Sequence, residues 1–536
     1  MNAHGGDLPD AEATRDGCGL WRALATAGPK ATAEGLTAED FDRLHIGGGI
    51  EAFLAAQVGS GRSIVLTGNA GDGKTHLLRR LTPELESAGA IVVEDATAVM
   101  RGDDPAGILA LWSEAISRNQ PICLAANEYP LYQLRMADPV APHLAEVSRQ
   151  CRHRLAYGEV TPDEAAGDVL VVDLSLRNPL TPGFLASLLE TMLGDEGLRA
   201  AIAAPGEPIA RRNVELLSLA RVRERLLLLA ERLVAFGYRA TVRELWILVA
   251  RMAFGRQGRG DYQRADWYSE SLFAQDQRFD LTTALRSVDP ANSSHPLWDA
   301  ALEAREPKTR RGWALRAPLP SPHPTLGWED FAALKRRFYF EHEKGQEIFD
   351  LADPDAIDFE ELLSGRRGTG RNLTAKLVDA INAAYCPVRF DSRDQHLYLW
   401  SGHRFHEQPS RSFVAADRVD VDSLSLEIPR LPVRLEDCFE YRPDHVALTA
   451  YGVTGAPRLR IDFQLWRTLR RLSRGLPRKL IPERDIHRLD AFLEKLGAGG
   501  VGRRDTIWSV HLENLELIQV SLSSDGRRFE GVRAYD

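Results

Sequence analysis

The feature that most constrains the fold is the stretch 63–80, which reads SIVLTGNAGDGKTHLLRR. From Gly68 to Thr75 it matches G-x-x-x-x-G-K-[ST], a pattern typical of a loop that wraps around a polyphosphate. The loop follows an apolar, β-branched run and leads into a helical pattern, which is the strand–loop–helix context that the pattern needs. We therefore expect an α/β fold with a parallel sheet, in which the first strand ends at a P-loop.

The chemistry expected at this loop is the binding of ATP and Mg²⁺. Glycines let backbone N–H groups turn toward phosphates, and the start of the following helix adds partial positive charge. Lys74 can reach the β- and γ-phosphates, and the Thr75 hydroxyl can bind Mg²⁺. The alternative is an ordinary glycine-rich turn. The residues predicted to hold the nucleotide are Gly68, Asn69, Ala70, Gly71, Asp72, Gly73, Lys74 and Thr75.

Hydrolysis also needs an acidic group that acts on the attacking water. In the P-loop subclass with an additional strand between the loop strand and the acid strand, the acid follows the third predicted strand. Here that strand, 121–126, is followed by Asn127 and Glu128. We expect Glu128 to polarise water and Asn127 to hold Mg²⁺, more weakly than an aspartate because an amide carries no charge. Asp95, at the end of strand 90–95, is the competing candidate, and a third possibility is that neither carboxylate acts.

Two arginines are candidates for contact with the nucleotide. Arg243 lies one turn into the helix after Thr241, where a helical lid would place an arginine over the nucleotide as a catalytic group. Arg177 follows the fourth predicted strand and could bind the γ-phosphate. The alternatives are an exposed helix residue for Arg243 and a surface loop for Arg177.

The pattern along the chain predicts five regions. Strands are expected at 63–67, 90–95, 121–126 and 168–174, with helices between them. Later segments such as HLYLW and HVALTAY alternate apolar and polar residues, as β-strands do, around one helix near 463–474. The predicted regions are an N-terminal lead-in (1–45), a P-loop NTPase core (46–200), a helical lid (201–256), a mixed helical region (257–385) and a β-rich α+β module (386–536).

Composition narrows the classes of protein that need considering. The chain is 44% hydrophobic and 27% charged, as ordinary globular proteins are, and it has no run of 18 apolar residues. The absence of such a run predicts that the chain has no membrane segment. Five dispersed cysteines indicate neither a disulfide framework nor a zinc knuckle, so we expect a cytoplasmic protein. His403 and His406 have no partner ligands in the sequence and are interpreted as surface histidines.

Two segments are basic although the net charge of the chain is −9. Residues 464–488 carry eight Lys/Arg and two acids, and residues 305–345 carry nine and five, with aromatic residues interleaved. The glycine-rich loop 364–372, SGRRGTGRN, is also basic. Such patterns favour contact with DNA phosphates and stacking on bases. The alternative is that the aromatics are core residues, the arginines face solvent and the loop is an exposed linker.

Six segments carry a resemblance to a known family: GNAGDGKTHL (68–77), LAANEYPLYQL (124–134), VVDLSLRNPL (171–180), ATVRELWILVARMAFG (240–255), LKRRFYFEH (334–342) and LRIDFQLWRTLRRLSRG (459–475). Together they resemble the ATPase subunit of phosphorothioation-dependent DNA restriction systems and, more broadly, the P-loop ATPases of bacterial anti-phage operons. The resemblance implies an ATP-hydrolysing motor or switch that acts beside other subunits of a defence operon and has no nuclease centre. A homo-oligomer is also possible.

Two other functions stay open. One is a nucleotide-dependent scaffold with little or no hydrolysis. Asn127 favours this function, because its amide carries no charge where an aspartate would help to hold Mg²⁺. The other is a helicase-loader-like protein, because GKTHLL also resembles the P-loop of replication initiators and helicase loaders.

Overall fold

The computed structural model describes residues 19–27, 36–136, 169–203, 208–255, 266–274, 280–303, 328–349, 354–366, 368–386, 395–401, 412–431, 435, 438, 440–451, 457–498, 506–511, 513, 516–523 and 528–535. The chain forms two compact units. Unit 1 comprises the chain up to Val234 together with Tyr238–Leu351 and Leu431–Arg442. Unit 2 comprises Ala235–Gly237, Ala352–Arg430 and Pro443–Asp536.

Unit 1 contains a parallel sheet of four strands in the order β2-β3-β1-β4. The strands are β1 (Ser63–Thr67), β2 (Ile91–Val93), β3 (Ile122–Ala125) and β4 (Val169–Asp173). They confirm the four predicted strands to within one or two residues at each end. One expectation is wrong: β3 pairs directly with β1, with Ile64 opposite Cys123, so no strand lies between the loop strand and the strand that precedes Asn127.

Helices of unit 1 cover both faces of this sheet, because apolar side chains of β1 point alternately to each face. Ile64 and Leu66 pack in one buried cluster, and Val65 packs in the other with Trp112. The helices up to β4 are α1 (Gly19–Thr26), α2 (Ala38–Arg43), α3 (Gly49–Gly59), α4 (Lys74–Ser87), α5 (Ala96–Val99), α6 (Ala106–Ser117) and α7 (Glu128–Met136).

A helical part of unit 1 follows β4, as the sequence predicts. Thr241 caps α12, since its hydroxyl accepts a hydrogen bond from the Glu244 N–H while the Glu244 carboxylate accepts one from the Thr241 N–H. These helices are α8 (Pro182–Gly194), α9 (Glu196–Ala203), α10 (Pro208–Leu217), α11 (Ala220–Ala235), α12 (Val242–Phe254), α13 (Tyr268–Leu272), α14 (Asp280–Arg286), α15 (Pro296–Glu303) and α16 (Trp328–Glu341). The last residue of α11, Ala235, belongs to unit 2.

Unit 2 is rich in antiparallel β-structure, as predicted. Its five-stranded sheet has the order β12-β11-β10-β6-β5, and its three-stranded sheet has the order β7-β8-β9. The strands are β5 (His396–Trp400), β6 (Ser412–Asp420), β7 (Leu424–Glu427), β8 (His445–Ala450), β9 (Arg458–Asp462), β10 (Thr506–His511), β11 (Leu517–Leu522) and β12 (Phe529–Tyr535). The helices are α17 (Pro354–Leu363), α18 (Arg371–Tyr385), α19 (Phe463–Ser473) and α20 (Glu483–Ala498).

The segment Leu431–Arg442 belongs to unit 1, although the chain on both sides of it belongs to unit 2. Leu431, Leu435 and Cys438 pack in the same buried cluster as Leu66. The core under the parallel sheet is therefore completed by residues far along the chain.

Candidate functional site

The loop 68–73 joins β1 to α4 and borders a cavity of 1090 Å³ in unit 1. Gly68, Gly71 and Gly73 have φ of +140°, +97° and +95°, a backbone region that favours glycine. A Cβ on Gly68 would lie 2.9 Å from both the Asp72 carboxylate and the Ser175 N–H. The loop conformation therefore depends on glycine.

Lys74 is the buried cation of this loop. Its Nζ donates hydrogen bonds to the carbonyl oxygens of Gly68 (2.9 Å) and Asn69 (2.7 Å). Burial lowers the pKa of Lys74, although the carboxylates of Asp72, Asp173 and Asp95 act in the opposite direction. The ammonium group thus lies among acceptors of its own loop, at the position where the sequence analysis expects it to meet a phosphate.

Asp72 braces the loop from within. Its carboxylate accepts a hydrogen bond of 2.7 Å from the Asn69 N–H, and the residue is 3% exposed. Burial raises the pKa of Asp72, while the charges of Arg239 and Lys74 lower it. Asp72 therefore holds the turn of the loop in addition to lying near the lysine.

The end of β2, not the start of α7, lies beside Thr75. The Thr75 hydroxyl is 3.4 Å from the carbonyl oxygen of Glu94, and Asp95 and Asn127 both border the cavity. Glu128, the first residue of α7, is exposed and is not among the described residues that border the cavity.

The two acids at the end of β2 have different partners. Glu94 forms an ion pair of 2.9 Å with Arg79. Asp95 caps the short helix α5, accepting a hydrogen bond of 2.9 Å from the Thr97 N–H. The carboxylate of Asp95 is exposed to solvent and, unlike that of Glu94, is not held by a described cation.

The strand order changes the interpretation of these residues. Since β3 lies between β1 and β2, Asn127 and Asp95 follow neighbouring strands at the carboxyl edge of one parallel sheet. If the catalytic acid follows β2, then β3 is the strand inserted between the acid strand and the loop strand β1. If the acid follows β3, no strand is inserted. The predicted combination of an inserted strand with Glu128 as the acid is therefore wrong.

Arg243 borders the same cavity, in the first turn of α12. The backbone N–H of Arg243 donates a hydrogen bond of 3.2 Å to the carbonyl oxygen of Gly71, so α12 begins against the loop. Its guanidinium forms no ion pair or hydrogen bond with a described residue. Burial lowers the pKa of Arg243, and the charge of this arginine in turn lowers the pKa of Lys74.

Arg177 also borders the cavity, but its guanidinium is already engaged. It forms an ion pair of 2.7 Å with Glu440 and lies 4.5 Å from the centre of the Phe184 ring. Glu440 comes from the segment Leu431–Arg442. This arginine therefore ties that segment to the edge of the sheet.

One wall of the cavity was not predicted from the sequence. Residues 36–46, assigned almost wholly to the lead-in, contribute Phe41 and His45, which lie near His76 on α4. The signal in the sequence was the capping box of Thr37 and Asp40 at the start of α2, followed by apolar residues at helical spacing. The described residues of this wall are Leu36, Phe41, Leu44, His45 and Ile46.

The basic segment 464–488 is neutralised only in part within unit 2, and Arg471 and Lys479 are exposed. Arg470 pairs with Asp358 and lies 3.6 Å from Asp355, and Arg474 lies 3.0 Å from Asp355. Arg488 lies 3.0 Å from Asp462. Part of the excess positive charge of the sequence is therefore paired within unit 2.

The basic segment 305–345 falls outside the described residues up to position 327. In its described part, Lys335 forms an ion pair of 2.6 Å with Asp299 and is buried, and Arg337 forms one of 3.0 Å with Glu341. The aromatic residues Phe338, Tyr339 and Phe340 have no exposed surface. These three aromatic residues are therefore core residues, as the alternative interpretation expects, and the predicted stacking of them on bases is wrong.

The described residues contain neither a cluster of metal ligands nor a membrane-spanning helix. Within the described residues no group of three or more His, Cys, Asp or Glu is arranged to hold a metal ion, and His403 and His406 lie outside those residues. None of the described helices has the length and apolarity needed to cross a bilayer. Comparison with models of known protein families, with curated proteins and with solved structures gave no match.

Proposed function

We propose that the chain is a Mg²⁺-dependent ATPase and that residues 68–75 are its P-loop. The observation that carries the proposal is that two cations, Lys74 and Arg243, border the same cavity beside a glycine-rich loop. Burial lowers the pKa of both cations, and the Arg243 guanidinium forms no ion pair with a described residue, although the charges of Glu244 and Asp72 raise its pKa. A polyphosphate is the ligand whose charge would neutralise both.

The glycine loop supports this proposal by its backbone. Gly73, the N-cap of α4, provides no side-chain hydrogen bond, so N–H groups of the first turn remain available to a phosphate. The helix end adds partial positive charge at the same point. The apolar and aromatic wall around Phe41 and Trp246 would then take the base.

For the metal and the attacking water we assign Thr75, Asn127 and Asp95. The Thr75 hydroxyl lies at the end of β2, and Asp95 and Asn127 follow adjacent strands. Asp95 replaces Glu128 as the preferred acid because it borders the cavity while Glu128 does not. Arg243 would stabilise negative charge on the transferred phosphoryl group.

The biological setting proposed is a DNA restriction or phage-defence complex, in which this chain is the motor or switch. The support is the family resemblance of the six segments, two of which contain Lys74 and Arg243. The partial neutralisation of segment 464–488 is compatible with a chain that reaches DNA mainly through partner subunits.

The nucleotide arm of the proposal is tested with Lys74→Ala. We expect this variant to lose binding of a fluorescent ATP analogue, because it lacks the ammonium at the β- and γ-phosphates. Lys344→Ala, an exposed lysine of unit 1 that does not border the cavity, is the matched control. Equal affinity of the two variants would overturn the P-loop assignment.

Hydrolysis is tested by measuring phosphate release in Asp95→Asn and in Glu128→Gln. Glu84→Gln, on an exposed face of α4, is the control. Phosphate release should fall by about 10²–10⁴-fold in Asp95→Asn while ATP still binds. A loss confined to Glu128→Gln would restore that residue as the acid. Turnover that is absent from the wild type, with and without DNA, would favour the nucleotide-dependent scaffold, for which the uncharged Asn127 argues.

A further inference from the structure

The wall that residues 36–46 contribute to the 1090 Å³ cavity is attached to the rest of unit 1 on two sides. On one side, Arg80 of α4 forms an ion pair with Asp42. The side chains of these two residues are 48% and 65% exposed. An ion pair so open to water contributes little, so this attachment adds little to the position of the wall.

On the other side, Arg43 at the end of α2 forms an ion pair with Asp195, the residue between α8 and α9. The Arg43 guanidinium donates hydrogen bonds of 2.9 Å and 2.8 Å, one to each oxygen of the carboxylate. Only 22% and 10% of the two side chains are exposed. A two-pronged pair that is sheltered from water is stronger and more directional than an exposed one, so Asp195 is the firmer attachment.

The same carboxylate also holds α1. The Nε1–H of Trp21 donates a hydrogen bond of 3.0 Å to Asp195, and the Leu198 N–H in α9 donates one of 2.7 Å. Burial acts to raise the pKa of Asp195, but the hydrogen bonds from Arg43 and Trp21 keep it below its ordinary value. Asp195 therefore joins α1, α2 and the start of α9 through a single charged group.

These contacts reach the cavity through aromatic side chains. Trp21 is fully buried, and the centre of its ring lies 5.6 Å from that of Trp246 on α12. Trp246 and Phe41 border the cavity, on the side where the proposed function places the base. Asp195 is not among the described residues that border the cavity, so its effect on a ligand must pass through these side chains.

The phosphate side of the cavity has supports of its own. Lys74 donates hydrogen bonds to the carbonyl oxygens of Gly68 and Asn69, within its own loop. The start of α12, which carries Arg243, is held by a hydrogen bond to the carbonyl oxygen of Gly71. The contacts of Asp195 and the contacts that hold the two cations are therefore different sets.

We propose that Asp195 is a positioning residue, which holds the wall of residues 36–46 and Trp246 in the arrangement that takes the base. This inference rests on the proposed ATP site and assigns to Asp195 the part of the affinity that depends on the base. A wall that has to be ordered when the ligand binds costs affinity. Loss of Asp195 therefore weakens binding of a nucleotide but not binding of a chain of phosphates that has no base.

The test compares adenylyl imidodiphosphate, an ATP analogue that resists hydrolysis, with inorganic triphosphate. Both are titrated by calorimetry against the full chain in the presence of Mg²⁺. Asp195→Asn replaces one acceptor oxygen by an amide nitrogen, which cannot accept a hydrogen bond from Arg43. Arg43→Met is the second variant, because it removes the same ion pair and keeps an apolar stem. Glu215→Gln, which breaks the more exposed pair with Arg212 on α10, is the control.

We expect Asp195→Asn and Arg43→Met each to weaken binding of the ATP analogue about tenfold, with the affinity for triphosphate unchanged to within about twofold. The double variant should lose little more than either single one, because both remove the same ion pair. The control should bind both ligands as the wild type does.

Two results would overturn the inference while leaving the ATP site intact. Equal losses for the two ligands would mean that Asp195 only stabilises the fold, and unchanged affinity of both variants for the ATP analogue would mean that the wall does not depend on it. A wild type that binds neither ligand would refute the ATP site, and this inference with it.

Discussion

His76, the residue after Thr75, makes the stability of unit 1 depend on pH. Its ring nitrogen lies 3.2 Å from that of His45, and burial lowers the pKa of His76 to about 4 from an ordinary value of 6.5. The charges of His45, Arg80 and Arg79 act in the same direction, and Asp42 acts against them. At neutral pH the folded chain therefore holds His76 uncharged.

The sign and size of the effect follow from this difference in pKa. Between pH 6.5 and pH 4 the unfolded chain protonates His76 while the folded chain does not, so the free energy of unfolding falls as the pH falls. The difference of about 2.5 units between the two pKa values corresponds to about 3 kcal/mol in the free energy of unfolding. This stability is lost once the pH is below about 4.

The assay is urea unfolding of the wild type and of His76→Gln at a series of pH values from 7.5 to 4. The difference between the two curves cancels the carboxylates, which titrate in both proteins. We expect the stability of His76→Gln relative to the wild type to rise by about 3 kcal/mol toward low pH. His487→Gln, on the exposed side of α20, is the control and should show no such trend. Parallel curves, or an NMR titration of His76 near pH 6.5, would refute the reasoning.

Three further substitutions test contacts in both units. Asp299→Asn removes the ion-pair partner of buried Lys335 and should cost about 3–5 kcal/mol in urea unfolding, whereas adding Lys335→Met should recover most of that loss. Arg470→Glu places a negative charge beside Asp358 and should lower the free energy of unfolding by about 2–4 kcal/mol, measured as a fall in melting temperature. An unchanged melting temperature would mean that Arg470 is free for another partner. Thr241→Ala breaks the capping box of α12 and should cost about 1 kcal/mol, with faster amide exchange in the first turn of that helix.

Local patterns in the sequence predicted the elements that depend on neighbouring residues. The strand at 63–67 was predictable because a β-branched run ends at a glycine, and the start of α12 was predictable because Thr241 and Glu244 have the spacing of a capping box. The helix α20 was missed although Ile486 and Leu489 lie on its buried face, because the basic residues before it were interpreted as one surface segment.

Contacts between distant parts of the chain were beyond such patterns. The position of β3 beside β1 depends on pairing across the sheet, and local patterns in a single sequence do not show which strands are neighbours. For this reason the choice between Asp95 and Glu128 could not be made from spacing. The pairing of Arg470 with Asp358 joins residues 112 positions apart, so the net charge of 464–488 overstated its free charge.

The segment Leu431–Arg442 has a consequence for how the protein is made. Since Leu431, Leu435 and Cys438 complete the core beneath the parallel sheet, a ribosome must synthesise most of the chain before that core can close. Nascent chains that end within β7 would carry exposed apolar surface on unit 1 and would be substrates for chaperones and proteases. A gene product truncated there would be removed by proteolysis instead of persisting as an independent fragment.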